Sequence, residues 1–139
     1  MKKRIDYSYG KFNNIDTFVF DRCLEELLPN YITEVKLSFT YLDDEGLLEI
    51  NKKFLNHDYY TDIITFDYSK KNRLIGDIFI SVERVEENAN DLSKSNELLR
   101  VMSHGVLHLL GYKDSNEEEK KEMRLMEDKW LNFIVSRES

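Results

Sequence analysis

Between Asn96 and Asp114 the chain reads NELLRVMSHGVLHLLGYKD, with two histidines, His104 and His108, four residues apart in an otherwise largely apolar run. On an α-helix that spacing stacks both imidazoles on one face, where they can reach a single metal ion. From Val101 to Leu110 the only side chains that are not apolar are Ser103, His104, Gly105 and His108, which predicts a helix buried nearly all round. Leu99, Met102, Val106 and Leu110 form one face, and both histidines fall opposite it. Imidazoles on a buried face need partners, supplied either by a shared metal ion or by hydrogen bonds in the core. Gly111 suits a left-handed helix end, and the turn it makes sends Asp114 back towards the histidines.

The full spacing, H-x-x-x-H-x-x-G-x-x-D, has the offsets of the extended metzincin zinc motif, with a carboxylate as third ligand. A site of His104, His108 and Asp114 keeps a position for water, which makes it catalytic in type. One Zn²⁺ per chain is the first choice for mixed imidazole and carboxylate ligands, with other divalent ions as alternatives. Asp114 has a second reading, in which it orients an imidazole and His57 or Glu117 completes the site. Gly105 stands where a zinc peptidase needs its general-base Glu, and this argues against ordinary peptide hydrolysis.

The rest of the chain reads as scaffold. At 139 residues, without a Pro/Gly/Ser-rich linker or internal repeat, residues 1–139 are expected to form a single domain. Ile5, Tyr7 and Tyr9 alternate as an edge strand over residues 4–9, and Val35, Leu37, Phe39 and Tyr41 as a half-buried strand. Helices are expected after Asn14 or Asp16, with Phe20, Cys23, Leu24, Leu27, Leu28 and Tyr31 as the core stripe, and after Asp43 or Asp44. Residues 63–68 and 74–82 read as a hairpin in which Gly76 marks a bulge or a close approach. A helix from about Glu83 to Leu92, a cap at Ser95 or Asn96, and a capping box Ser115-x-x-Glu118 opening an amphipathic last helix complete the pattern. Strands interleaved with helices around one hairpin predict an α+β fold with a small mixed sheet.

The single Cys23 has no intramolecular partner and no stretch approaches transmembrane length, so a reducing cytoplasm and no membrane are expected. The net charge of −7 disfavours nonspecific nucleic-acid binding, although Lys2 to Arg4, Lys52, Lys53, Lys70, Lys71 and Arg73 cluster. Such clusters read either as a solvated surface or as an RNA track. Asp62, Asp67 and Asp77 are candidates for proton transfer, against a reading as turn and strand-end caps, and His57 is a further catalytic candidate in a polar loop.

The run from His104 to Tyr112, HGVLHLLGY, resembles the signature of the YbeY family of bacterial metal-dependent endoribonucleases. Thr61 to Phe66 and Gly76 to Ser81 resemble two further family motifs in the same order. The resemblance implies a sheet of about four strands with helices around it and the metal helix at the centre. It also implies hydrolysis of single-stranded RNA in maturation of the 16S rRNA 3′ end and in ribosome quality control, with the 16S rRNA precursor and the small ribosomal subunit as partners. Two departures stand out: Asp114 replaces the family's third His, and the Arg of its Tyr-Arg-Gly loop motif is replaced, the corresponding position being Leu55. The competing functions are a zinc metallopeptidase-like hydrolase and a non-enzymatic ribosome-assembly factor with a structural metal.

Overall fold

The computed structural model describes residues 1–90 and 93–138. Four strands, β1 (Lys2–Ser8), β2 (Glu34–Leu42), β3 (Ile63–Asp67) and β4 (Arg73–Ser81), form one sheet in the order β1-β2-β4-β3. β1, β2 and β4 run parallel, and β3 pairs antiparallel with β4 along one edge. Five helices accompany them: α1 (Phe18–Leu27), α2 (Asp44–Leu55), α3 (Val82–Glu87), α4 (Lys94–Leu109) and α5 (Glu117–Val135). The α+β architecture with a small mixed sheet agrees with the alternation read from the sequence.

Strand alternation sorts the sheet into two faces. Val35, Leu37, Phe39 and Tyr41 of β2 and Leu74, Ile78 and Ile80 of β4 are buried in the main core with Phe20 and Leu24 of α1, Met102 and Val106 of α4, and Trp130 and Ile134 of α5. The opposite face carries Asp77 and Phe79, and α2 packs against part of it, with Phe54 edge-on to Phe66 and Phe66 edge-on to Phe79. The histidine helix α4 is buried through Leu99, Val101, Met102, Ser103, Gly105, Val106, Leu107 and Leu109, and both histidines lie at its half-buried margin.

Several boundaries differ from the sequence expectation for local reasons. Ser93 caps α4 by accepting the Asn96 N–H, so the helix starts before Ser95. Asn116 caps α5 by accepting the Glu119 N–H, while Glu119 accepts from Ser115, a reciprocal arrangement one residue later than Ser115-x-x-Glu118. Helix α1 starts after Thr17, whose hydroxyl is 2.6 Å from the Tyr9 hydroxyl, and Tyr31 falls beyond the helix and is exposed. α3 ends at Glu87, and the expected end at Leu92 lies outside the described residues.

Gly76 is a close approach and not a bulge, since the β4 pairing runs through it without interruption. A Cβ there would lie 2.8 Å from both the Phe66 carbonyl oxygen and Leu109 Cδ1. The carbonyl belongs to the neighbouring strand and cannot move aside. Gly76→Ala is therefore expected to cost about 1–3 kcal/mol of stability through overpacking, measured by urea denaturation; an unchanged midpoint would contradict the packing described.

Candidate metal centre

Helix α4 ends in a Schellman turn. The Gly111 N–H donates to the His108 carbonyl and the Tyr112 N–H to the Leu107 carbonyl, both at 3.0 Å, with Gly111 at φ +106°. The reversal brings Asp114 over the histidine margin. Its Oδ2 lies 3.5 Å from Nε2 of His104 and 3.5 Å from Nε2 of His108. One ligand atom from each of the three residues falls within 4.8 Å of the others. The imidazoles meet edge to face, with ring centroids 4.6 Å apart.

The other nitrogen of His104 is committed. Nδ1 is 2.5 Å from Glu127 Oε2, on a side chain only 3% exposed. Burial pushes the Glu127 carboxyl up, but the His104 hydrogen bond and the charges of His104 and Arg100 outweigh it and hold the group below its ordinary range. An ionised carboxylate only accepts, so His104 Nδ1 is the donor, and Nε2 is the nitrogen turned towards Asp114. Arg100 donates to Glu127 at 2.6 Å and through two nitrogens to Glu97, and these bonds raise its own pKa further. Glu97 and Glu127 are both buried, so Arg100 balances two carboxylates in the core.

Beside the cluster lies a cavity of about 300 Å³, walled by Asp62, His104, Asp114, Lys120, Arg124 and Glu127 among others. A larger cavity of about 720 Å³, between α1, α3 and the start of α4, contains neither histidine nor Asp114. Asp62 enters the smaller cavity at the head of β3, where its carbonyl accepts the Ser81 N–H. Burial raises its carboxyl above the ordinary range, and the nearby charges of His104 and Arg100 oppose the shift.

His104, His108 and Asp114 thus come together, with Asp62 in the adjoining wall. Two expected residues do not join them. His57 is exposed and stacks on Tyr59. Asp77 points from the sheet face opposite α4 and accepts from the Ser38 hydroxyl at 2.6 Å, because its place in the β4 alternation is that of Ile75 and Phe79. Asp67 caps the hairpin by accepting the Ser69 N–H. Glu117 is absent from the three-residue cluster. Sequence reasoning missed Glu127, Arg100 and Glu97. The signal was present, since Glu127 occupies a core position in the stripe Met123, Glu127, Trp130, Ile134, where an acid needs a partner. The basic clusters are partly paired, Lys3 with Asp21 and Glu25, Arg73 with Glu34 and Lys52 with Asp58, in keeping with a solvated surface.

Fold and site together define a class: a small α+β domain built around a helix that presents a possible His/His/Asp metal site beside a cavity. The chain belongs to the YbeY family, whose model, described as Endoribonuclease YbeY, matches residues 4–135. A protein of Flavobacterium psychrophilum named Endoribonuclease YbeY is 50% identical over 110 residues, covering 78% of this chain and 79% of the relative. One of Karelsulcia muelleri with the same name is 43% identical over 134 residues, covering 94% and 95%. The solution structure of TM1509 from Thermotoga maritima is similar with a TM-score of 0.70 at 28% identity, covering 96% of this chain and 89% of that one. Among the described residues no helix is long and apolar enough to cross a membrane.

Because the pKa of Asp62 is higher in the folded than in the unfolded chain, its ionised form costs stability at neutral pH, and the cost disappears below the unfolded carboxylate range. Asp62→Asn in metal-free protein is expected to raise the thermal midpoint at neutral pH, with the difference closing as the pH falls through about 4. A lower midpoint for the variant at neutral pH would contradict the burial described.

Proposed function

We propose that the chain is a metal-dependent endoribonuclease that hydrolyses phosphodiesters of single-stranded RNA, with His104, His108 and Asp114 holding one Zn²⁺. The observation that carries the reading is the ligand spacing. Tetrahedral zinc with bonds of about 2.0–2.1 Å separates its ligand atoms by about 3.4 Å. Both Nε2–Oδ2 separations here are 3.5 Å. These two spacings support Asp114 as a ligand in its own right over the reading in which His57 or Glu117 completes the site. When bound, the ion supplies Lewis acidity, polarising a phosphoryl oxygen and lowering the pKa of water.

The protein's own groups do the rest. Glu127 holds the His104 ring with its Nε2 outward, and Arg100 holds Glu127 in turn. Lys120 and Arg124, on the α5 wall of the cavity, offer positive charge to a phosphate beside Asp114. Asp62 faces the same space, with a carboxyl that burial makes a better proton acceptor than an exposed one.

Packing counts against the peptidase reading, as residue type does. A Cβ at Gly105 would meet Ile63 Cδ1 at 3.0 Å and Ile78 at 3.2 Å, so a side chain at this position would enter the sheet and could not serve as a base at the histidines. A non-enzymatic assembly role with a structural metal is disfavoured by the three-ligand set, since structural zinc sites use four protein ligands. The family resemblance carries the biological setting: cytoplasmic maturation of the 16S rRNA 3′ end on the small ribosomal subunit.

The direct test is cleavage of a single-stranded and a base-paired RNA by metal-stripped protein, with and without Zn²⁺, beside His108→Ala purified identically. Cleavage of the single strand should return with the ion and fall to background in the variant. Equal activity of the two proteins would defeat the reading. An anionic third ligand makes the ion less electrophilic than a third imidazole would. Asp114→His should therefore move the pH–rate profile to lower pH, and coincident profiles would show that Asp114 does not ligate.

A further inference from the structure

The segment joining α2 to β3, which leads into Asp62 of the cavity wall, sets aromatic rings in solvent, and nothing in the site as described uses them. Tyr59 is 55% exposed. The exposed His57 ring stacks on it with centroids 5.1 Å apart and planes 21° from parallel, and the Tyr59 hydroxyl lies 3.0 Å from His57 Nδ1.

The rings stay outside because the loop backbone is pinned. Asn51, buried on α2, accepts the His57 N–H through its carbonyl and donates Nδ2 to the Tyr59 carbonyl at 2.9 Å. Tyr60 is held by its hydroxyl on Glu45, with the Arg84 guanidinium 5.1 Å from its ring centroid. Further along, the Asp62 carbonyl is fixed to Ser81 of β4. A loop tied at both ends in this way presents the His57–Tyr59 pair as a fixed surface. From Tyr59 the chain needs three residues, at most ~10 Å of backbone, to reach Asp62 in the cavity wall.

We propose that the stacked His57–Tyr59 pair is a platform for an unpaired nucleobase of an RNA strand whose phosphodiester lies at the His104, His108 and Asp114 centre. The proposal rests on the endoribonuclease reading and supplies its strand selectivity. Every base has a π-face, so stacking on a tyrosine is sequence-tolerant, but a base inside a duplex is already stacked and paired and cannot take the position. Charge argues the same way. A chain of net charge −7 repels a phosphate backbone, and Lys52, beside the loop, is paired with Asp58. Stacking attracts the substrate without requiring a basic track.

The probe is a short single-stranded RNA carrying 2-aminopurine at successive positions and hydrolysis-resistant phosphorothioate linkages, bound to Zn²⁺-loaded protein and followed by fluorescence. Quenching should peak at one position. Tyr59→Ala should abolish that quenching and raise Kd roughly 5- to 150-fold, the range that loss of one stacked base gives, while Tyr59→Phe keeps both. With a cleavable strand, the Tyr59→Ala loss should appear in KM and not in kcat, and a thermal melt verifies the fold. An abasic nucleotide at the quenched position should weaken wild type by a similar factor and Tyr59→Ala no further. Absence of a quenched position in wild type, or equal abasic penalties in wild type and Tyr59→Ala, would overturn the platform. Cleavage by wild type and its loss in His108→Ala judge the metal reading separately.

Discussion

The close approach of α4 to the sheet is the constraint on which the site depends. It is made by glycine on both sides. Gly76 lets Leu109 reach the β4 backbone, and Gly105 lets the helix settle on Ile63 and Ile78. With the helix seated on those two points, His104 and His108 are held at the sheet margin next to β3, within reach of the turn that follows. Leu109 and Gly111 then act in sequence, one fixing the end of the helix against the sheet and the other reversing the chain so that Asp114 returns over the imidazoles. A larger residue at either glycine would lift the helix from the sheet and move the histidines away from Asp62 at the head of β3.

The buried charges around His104 are the second layer. Glu97, Arg100 and Glu127 lie on two helices that must meet in one register for all three to be satisfied. Such a network adds little to stability, because desolvation of the ions offsets their attraction, but breaking one member leaves an uncompensated buried charge. Its effect is to fix geometry: α5 is locked to α4 at the histidine, and the ring of His104 keeps one orientation. The raised carboxyl of Asp62 is the opposite case, a group kept at a cost to the fold in the cavity where the chemistry is proposed to occur.

Much of this was legible in the sequence, and the limits are physical. His104, His108, Gly111 and Asp114 could be read because a helix and its C-terminal turn are local, so residue offsets translate directly into geometry. Val35 to Tyr41 could be read as a half-buried strand because alternation is local too. Glu127 was legible only as an acid in a core stripe, and not as the partner of His104, which is 23 residues away and joined to it only by the packing of α5 on α4. Asp77 was misplaced for a related reason: lying in a recognisable motif says nothing about which sheet face a residue occupies, and the alternation through Ile78 and Ile80 puts it on the far side. His57 sits in a loop whose course is set by Asn51, a contact that no periodicity reveals.

The total charge of the chain is a poor guide to what it can bind at this site. Of the side chains walling the cavity, Asp62, Asp114 and Glu127 are balanced by Arg100, Lys120 and Arg124, so the pocket is close to neutral before any ion enters. A divalent ion would then make it locally cationic, within a chain of net charge −7. On the proposed reading, electrostatic attraction would act chiefly at the phosphodiester held by the ion, and contacts that carry no charge would add grip on the neighbouring nucleotides. The proposed base platform would couple catalysis to unpaired RNA, because the bases of a duplex are already stacked and paired.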